Sequence, residues 1–412
     1  MKTKLTILAL LITVGTTVHA QVAPDATMGA AHLQYVFRYS ENAYFYTRGD
    51  RQTISPSASV SYINAEERHP FIMKYSGGYT WNIAGPAYST GLFQRLSLSQ
   101  ALEWRKWGIN LNDNVAYLPE TPITGFSGIV GIGEPIGQPN PNPPTGQSIL
   151  ALNTHVVSNQ GYGEAYRGFA HAMSLSGGAG YDMLRYPDGI GLATDTLTAN
   201  GNFSRDFNPR NRILSNFKFA RYSYPGYINT FASDAVTAGF RRQWNHSITT
   251  NMMIGPEWIT SPSSSTGSTK NSTIPSSTRI SASASIDYRL RFGDMGLNYN
   301  HGTNGGAGYL LGASYDAARI NYSRQFARDI TVGFDAAYNR TSGLSHNGVT
   351  NAKFAGAQVS WQVGEHVTAF ANYTFVDQTS SSALSTSALS GLEQLVSFGM
   401  SYSPRRTRIV TH

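Results

Sequence analysis

The chain has 412 residues and a formal net charge of +7; 13% of its residues are charged, 12% aromatic and 41% hydrophobic, with 41 glycines, 24 tyrosines and no cysteine. Soluble domains carry about 25% charged residues, so a cytosolic enzyme is a poor match, and without cysteine there are no disulfide frameworks, thiolate metal sites or cysteine nucleophiles. The basic residues are scattered rather than clustered, which argues against nucleic-acid binding, and the one long apolar run, Leu5 to Val14, excludes a polytopic helical membrane fold.

That run belongs to an expected leader. Lys2 and Lys4 form a basic start, Leu5 to Val14 an apolar stretch too short to span, and Val18-His19-Ala20 a small-residue exit. This is the layout of a secretory signal peptide over residues 1–20, cleaved after Ala20. Cleavage leaves 392 residues with 29 basic and 24 acidic side chains, and no cysteine follows the site to take a lipid anchor. Residues 21–32 are then expected to form a short periplasmic segment, 33–402 a transmembrane β-barrel and 403–412 a periplasmic tail.

Strand periodicity begins early and persists. Tyr35 to Tyr46 can supply a first strand, and in the next Ile54, Ala58, Val60 and Tyr62 alternate with Ser55, Ser57, Ser59 and Ser61. Trp104 and Trp107 flank a short turn at Arg105-Lys106. Pro119 to Gln147 holds seven of the 18 prolines and reads as a long loop, either folded into the barrel to narrow it or stiff at the surface. Within it Gly131-Ile132-Gly133 fits neither nucleotide fingerprint, and no basic residue follows.

The alternation is poor around Phe231 to Trp244, where a strand is expected from context alone. It is strongest in Arg279 to Phe292. There Ile280, Ala282, Ala284, Ile286, Tyr288, Leu290 and Phe292 alternate with Arg279, Ser281, Ser283, Ser285, Asp287, Arg289 and Arg291. Successive strand side chains point to opposite faces, so this is a 14-residue strand with one oily and one wet face. Ile330, Val332, Phe334, Ala336 and Tyr338 repeat the pattern, as do Val367, Ala369, Ala371, Tyr373 and Phe375, with Phe370 an exception on the wet face. Serine-rich stretches at 261–278 and 379–390 read as solvated loops.

Strands this long exceed the roughly 5 to 6 residues of soluble sandwiches and suit the about 9 to 11 that cross a bilayer. Connections alternate in length. Short turns fall at Arg105-Lys106, Asn208 to Asn211, Asn245-His246, Gly293-Asp294, Ala327 to Asp329 and Gly364-Glu365. Long loops fall at 119–147, 185–195, 260–278, 303–315, 341–352 and 377–391. The expected fold is all-β: a transmembrane antiparallel up-and-down barrel of sixteen to eighteen strands with short periplasmic turns and long extracellular loops. All six tryptophans fall near strand ends, where a bilayer interface should lie.

The last strand, Ser397-Phe398-Gly399-Met400-Ser401-Tyr402, resembles the assembly signal of bacterial outer-membrane barrels, although Ser403 to His412 follow it. With the leader and the period-two strands, the mature chain resembles the large porin-like outer-membrane proteins of Gram-negative bacteria. The resemblance implies an outer-membrane location, engagement of the barrel-assembly machinery through Ser397, Gly399 and Tyr402, contact with lipid and lipopolysaccharide, and a channel for small polar solutes without cofactor or metal. Barrels of this size often form homo-oligomers.

On the wet face, Lys74, Lys218, Arg279, Asp287, Arg289, Arg291, Arg319 and Asp335 are the expected pore-lining charges, with Asp206 and Glu257 among the offsetting acids. They allow either a weakly anion-preferring lumen or a wall neutralised by ion pairs. His301 and His346 are expected in outer loops, where solvation is their ordinary state, and no enzyme is expected. The alternative to a channel is a barrel whose long loops bind a surface polysaccharide, another cell or an export complex.

Overall fold

The computed structural model describes residues 31–46, 50–64, 69–85, 91–118, 155–169, 172–189, 191–227, 230–261, 274–306, 310–345, 348–381, 391–405 and 407–409. The leader, Pro119 to Gln147, His346 and most of both serine-rich loops lie outside these residues. Strands follow one another as β1 (Ala31–Tyr46), β2 (Arg51–Asn64), β3 (Phe71–Ala84), β4 (Gly91–Glu103), β5 (Trp107–Leu118), β6 (Val156–Phe169), β7 (Met173–Arg185), β8 (Thr194–Asn208) and β9 (Asn211–Ser223). The second half continues with β10 (Thr230–Gln243), β11 (Ile248–Thr260), β12 (Ser277–Leu290), β13 (Gly293–Asn304), β14 (Ala313–Gln325), β15 (Ile330–Gly343), β16 (Val349–Gln362), β17 (Val367–Ser380), β18 (Gly391–Tyr402) and the short β19 (Thr407–Ile409).

Each long strand pairs antiparallel with its neighbours in sequence, and β1 pairs with β18 from Phe37 opposite Tyr402 to Tyr46 opposite Glu393. The sheet thereby closes on itself as an eighteen-strand barrel. β19 adds a short extension, Ala31 to Leu33 pairing with Ile409 to Thr407. Closure removes the exposed edge that hydrocarbon would not tolerate, because an unbonded backbone group in lipid costs several kcal/mol.

Register converts the sequence alternation into inside and outside. Directly opposed residues share a face, so β12 turns Ile280, Ala282, Ala284, Ile286, Tyr288 and Leu290 outward and Arg279, Ser281, Ser283, Ser285, Asp287 and Arg289 inward. The oily side chains are the exposed ones, Ile254 at 61% and Ile280 at 57%, which in water would be unfavourable and in a bilayer is required. Trp104, Trp107, Trp244 and Trp361 mark the short-turn end, and Trp81 and Trp258 the opposite end; all six are exposed. These two aromatic girdles fix the bilayer boundaries. The molecule is an outer-membrane barrel, with its short turns toward the periplasm.

Several element boundaries differ from expectation. The turn expected at Gly293-Asp294 falls at Arg291-Phe292, because the oily alternation continues through Leu290 and both glycine and aspartate then enter β13. The loop expected over 341–352 shrinks to Leu344 through Gly348, since Arg340 and Ser342 keep the outward phase and pair with Asn351 and Val349. His301 lies within β13 rather than in a loop. It faces outward beside Asp316, with Nδ1 2.7 Å from the carboxylate.

The fold makes one substitution pair diagnostic. Ala284→Arg, on the lipid face near mid-strand, should destabilise the barrel by roughly 2–4 kcal/mol, whereas Ser283→Arg, one residue away in the lumen, should be nearly neutral. Equilibrium unfolding from lipid vesicles with urea or guanidinium measures both, and equal costs would contradict the assigned faces.

Candidate functional site: the lumen and its inward loop

Most inward side chains are Ser, Thr, Asn and Gly, but apolar ones gather at the long-loop end. Tyr222 of β9, Phe231 of β10 and Ile259 of β11 point inward and are each about 1% exposed, and Leu311 and Leu344 are buried with them. They form one cluster with Ala220, Tyr224 and Ile274. A second cluster joins Val156 of β6, Tyr186, Leu310 and Ala313 of β14, with Leu184 packed against it. Eight strand positions separate Val156 from Ala313, so the connection between β13 and β14 folds into the mouth rather than away from it.

Local chemistry explains that course. The Asn304 side-chain oxygen accepts the Gly306 N–H at 2.9 Å, starting a turn, and Gly306 and Gly312 have φ of +82° and +74°, which suits glycine. A Cβ at Gly312 would lie 2.7 Å from the Phe231 ring. Tyr222 donates to the Thr303 carbonyl at 3.3 Å and Tyr224 to the Gly305 carbonyl at 3.0 Å. The Tyr224 hydroxyl also accepts from the Gly312 backbone, so one phenol ties both ends of the loop, and burial raises its pKa far above its ordinary value. Because the lumen is aqueous, burying Leu310 and Leu311 stabilises the inward position by about 1.5–3 kcal/mol each.

The expected lining charges occupy different settings. Lys74 faces inward from β3, and Lys218 faces inward from β9 in the field of Glu257 and Asp182. Glu257 accepts a hydrogen bond from Ser233, and Arg279 lies directly across the β11–β12 pair from it. Arg319 and Asp335 make a two-contact ion pair at 3.1 and 2.9 Å, with the acid only 5% exposed. Asp206 pairs likewise with Arg212 near the short turns. Arg289 stands 3.9 Å from Asp294 and is nearly fully exposed. Asp287 faces inward opposite Thr249 and Gly296. Arg291 lies beyond β12, in the turn, with its guanidinium over the Phe292 ring.

Beyond Arg212 and Arg241 near the short turns, three inward cations escape the sequence reading: Arg38, Arg51 and Arg95. With Lys74 they place one cation on each of four consecutive strands. Register arranges them as a staircase. Arg95 is opposite Ser76, one inward step above Lys74; Arg38 is level with Ser57 and Gly78, one step higher; Arg51 lies three steps above, opposite Tyr44. Each step is about 7 Å along a strand. Arg38 stacks on Phe370 and Arg51 on Tyr44, both 4.0 Å from the ring centroid. By contrast β6, β7 and β8 turn Glu164, Asp182 and Asp206 inward, so a basic sector and an acidic sector lie in neighbouring parts of the wall. The phase was available in the sequence, since Arg38 alternates with Phe37 and Tyr39, and Arg95 with Leu96 and Leu98.

No protein-family model matches the sequence, and no curated protein matches it. Among solved structures, OccAB4 of Acinetobacter baumannii is similar at 7% identity and a TM-score of 0.48, with 92% of this chain and 99% of that one covered. OccK5 (OpdH) of Pseudomonas aeruginosa is similar at 10% identity and 0.48, covering 92% and 99%. OccK2 (OpdF) of the same organism, in complex with glucuronate, aligns at 10% identity and 0.47, covering 91% and 98%. Likeness at this level assigns neither a solute nor a residue role.

Replacing Leu310 and Leu311 together by serine should release the inward loop. Hydrogen exchange at the Gly306, Gly312 and Leu344 amides should accelerate and single-channel conductance should rise; unchanged conductance with accelerated exchange would place the narrowest point elsewhere.

Proposed function

We propose that the barrel is a passive channel for small polar solutes, narrowed at its outer mouth by the β13–β14 loop and weakly selective for anions. The observation that carries the reading is the staircase of Lys74, Arg95, Arg38 and Arg51 on a wall whose side chains are mostly Ser, Thr, Asn and Gly. An eighteen-strand barrel is wide enough for an aqueous passage, and diffusion through it requires neither cofactor nor energy.

The preference is expected to be weak for a physical reason. Arg319 and Arg212 are neutralised by bidentate partners, and Lys218 faces Glu257 and Asp182. The β1–β4 sector carries one inward cation on each strand. Its potential is screened beyond about 10 Å at 0.1 M salt, so selectivity should fade as ionic strength rises. Lys74, Arg95 and Arg38 are about 7 Å apart in height and Arg51 lies about 20 Å above Arg38, so a passing anion meets the cations in succession without being held at one.

Reversal potential across a planar bilayer in a salt gradient tests this. Wild-type protein should show a modest anion preference at low salt that weakens at high salt. Lys74→Gln, Arg95→Gln and Arg38→Gln combined should abolish or reverse it while conductance persists. Cation preference in the wild type would refute the anion reading, and conductance no greater than lipid background would refute the channel itself.

A further inference from the structure

The outer face of β6, β7 and β8 carries a feature that solute passage does not use. Lipid-facing side chains there shrink to glycine and alanine. Gly163, Ala179 and Ala199 form one row across the three strands, and Ala165, Gly177 and Gly201 the row below. Larger residues bound it, Ile109 and Leu111 on β5 and Phe217 and Phe219 on β9. The result is a depression in the hydrophobic wall roughly 10 Å across from β6 to β8.

At its short-turn end the depression deepens into a groove of about 870 Å³. One wall is the stacked pair Trp104 and Trp107, 4.1 Å apart, and Ala165 and Gly177 form the floor. Arg105, Lys106 and Arg167 stand at the mouth, all exposed, and no acid is among the lining residues. Glu103, the nearest acid in sequence, lies on the lumen-facing phase of β4 and meets Tyr166 there.

The rest of that rim repeats the theme. Arg167 and Phe169, Arg205 and Phe207, Arg242 and Trp244, and Arg324 and Phe326 end β6, β8, β10 and β14, with guanidinium-to-ring distances of 5.1, 5.3, 4.1 and 5.0 Å. A spacing of two puts cation and ring on the same lipid face. Among the described residues none of these four arginines has an ion-pair partner. Several outward charges at the opposite rim do: Asp195 pairs with Arg185, Asp316 with His301 and Asp377 with Lys353. Among the described residues, these four arginines thus stand at the headgroup level with no carboxylate paired to them.

We propose that the groove is a binding site for a glycerophospholipid of the periplasmic leaflet. Its phosphate sits among Arg105, Lys106 and Arg167, its glycerol region against the Trp104–Trp107 stack, and its acyl chains in the small-residue depression. Guanidinium and ammonium groups make charge-assisted hydrogen bonds to phosphate oxygens, and tryptophan favours the headgroup boundary. A second copy of the chain is the other possible occupant of a flat small-residue face. A two-fold contact centred on the groove would oppose its three cations to three more, which disfavours it.

Native mass spectrometry of delipidated full-length barrel, titrated with phosphatidylglycerol and phosphatidylethanolamine, tests the site. Wild-type protein should hold one lipid that survives activation. Arg105→Gln/Lys106→Gln/Arg167→Gln should weaken that binding about tenfold or more, equivalent to about 1.4 kcal/mol. Gly177→Leu keeps the charges but fills the floor, where a Cβ meets nothing closer than the Asn200 carbonyl at 3.6 Å, and should weaken it as well. Arg340→Gln, at the opposite rim, should not. Heat-modifiable electrophoretic mobility confirms that each variant is folded. Undiminished lipid in the triple variant, equal binding by Gly177→Leu, retention of inorganic phosphate in place of lipid, or a dimer in place of the lipid adduct would each overturn the proposal.

Discussion

The hydrogen-bonded seam between β1 and β18 is the contact on which the rest of the structure depends. Ten register pairs, from Phe37 opposite Tyr402 to Tyr46 opposite Glu393, turn an eighteen-strand sheet into a ring without an unpaired edge in hydrocarbon. Packing at the seam is close: a Cβ on Gly399 would lie 2.1 Å from the Tyr39 carbonyl and 2.6 Å from the Phe370 ring. That ring in turn carries the Arg38 guanidinium. The seam thus joins barrel closure to the placement of one of the lumen cations, and the glycine at 399 has a structural reason within the finished barrel.

Closure in a bilayer inverts the usual rule of burial. Outside, most side chains exposed to lipid are apolar and charges gather at the rims, with Asp113 near the middle of β5 an exception. Inside, polar side chains meet water, and apolar ones collect under the β13–β14 loop for the same reason that they collect in the core of a soluble protein. The two apolar regions have different causes, lipid solvation and the hydrophobic effect, and they meet across the backbone of β9 to β11. The loop can occupy the mouth because Tyr222, Phe231 and Ile259 give it an apolar surface there.

This meeting explains what the sequence showed and what it hid. β12 is legible at a glance because its outward face meets only lipid and its inward face only water. β10 is not, because Phe231 and Ala235 point inward beneath the loop among Ser233 and Thr237, while Asp234 joins Val236, Ala238 and Phe240 on the outward side, so both phases are mixed. Phe370 breaks the pattern of β17 for a similar reason, being the platform for Arg38. Turn positions followed from short polar connections, but the inward course of the β13–β14 loop depends on contacts with strands far away in sequence. Of the charges, Arg38 and Arg95 were in phase and could have been found; that Arg319 and Asp335 neutralise one another required their positions in space.

The assignment of faces underlies the lumen, the charged sectors and the rim groove alike. Because the chain has no cysteine, a single cysteine can be introduced at each position from Ile280 to Leu290 and labelled in reconstituted barrels. The account predicts period-two accessibility, with 281, 283, 285, 287 and 289 labelled by a charged water-soluble maleimide and 280, 282, 284, 286, 288 and 290 protected from it and quenched by a lipid-soluble probe. Uniform labelling along the strand, or the same alternation with its phase reversed, would contradict it.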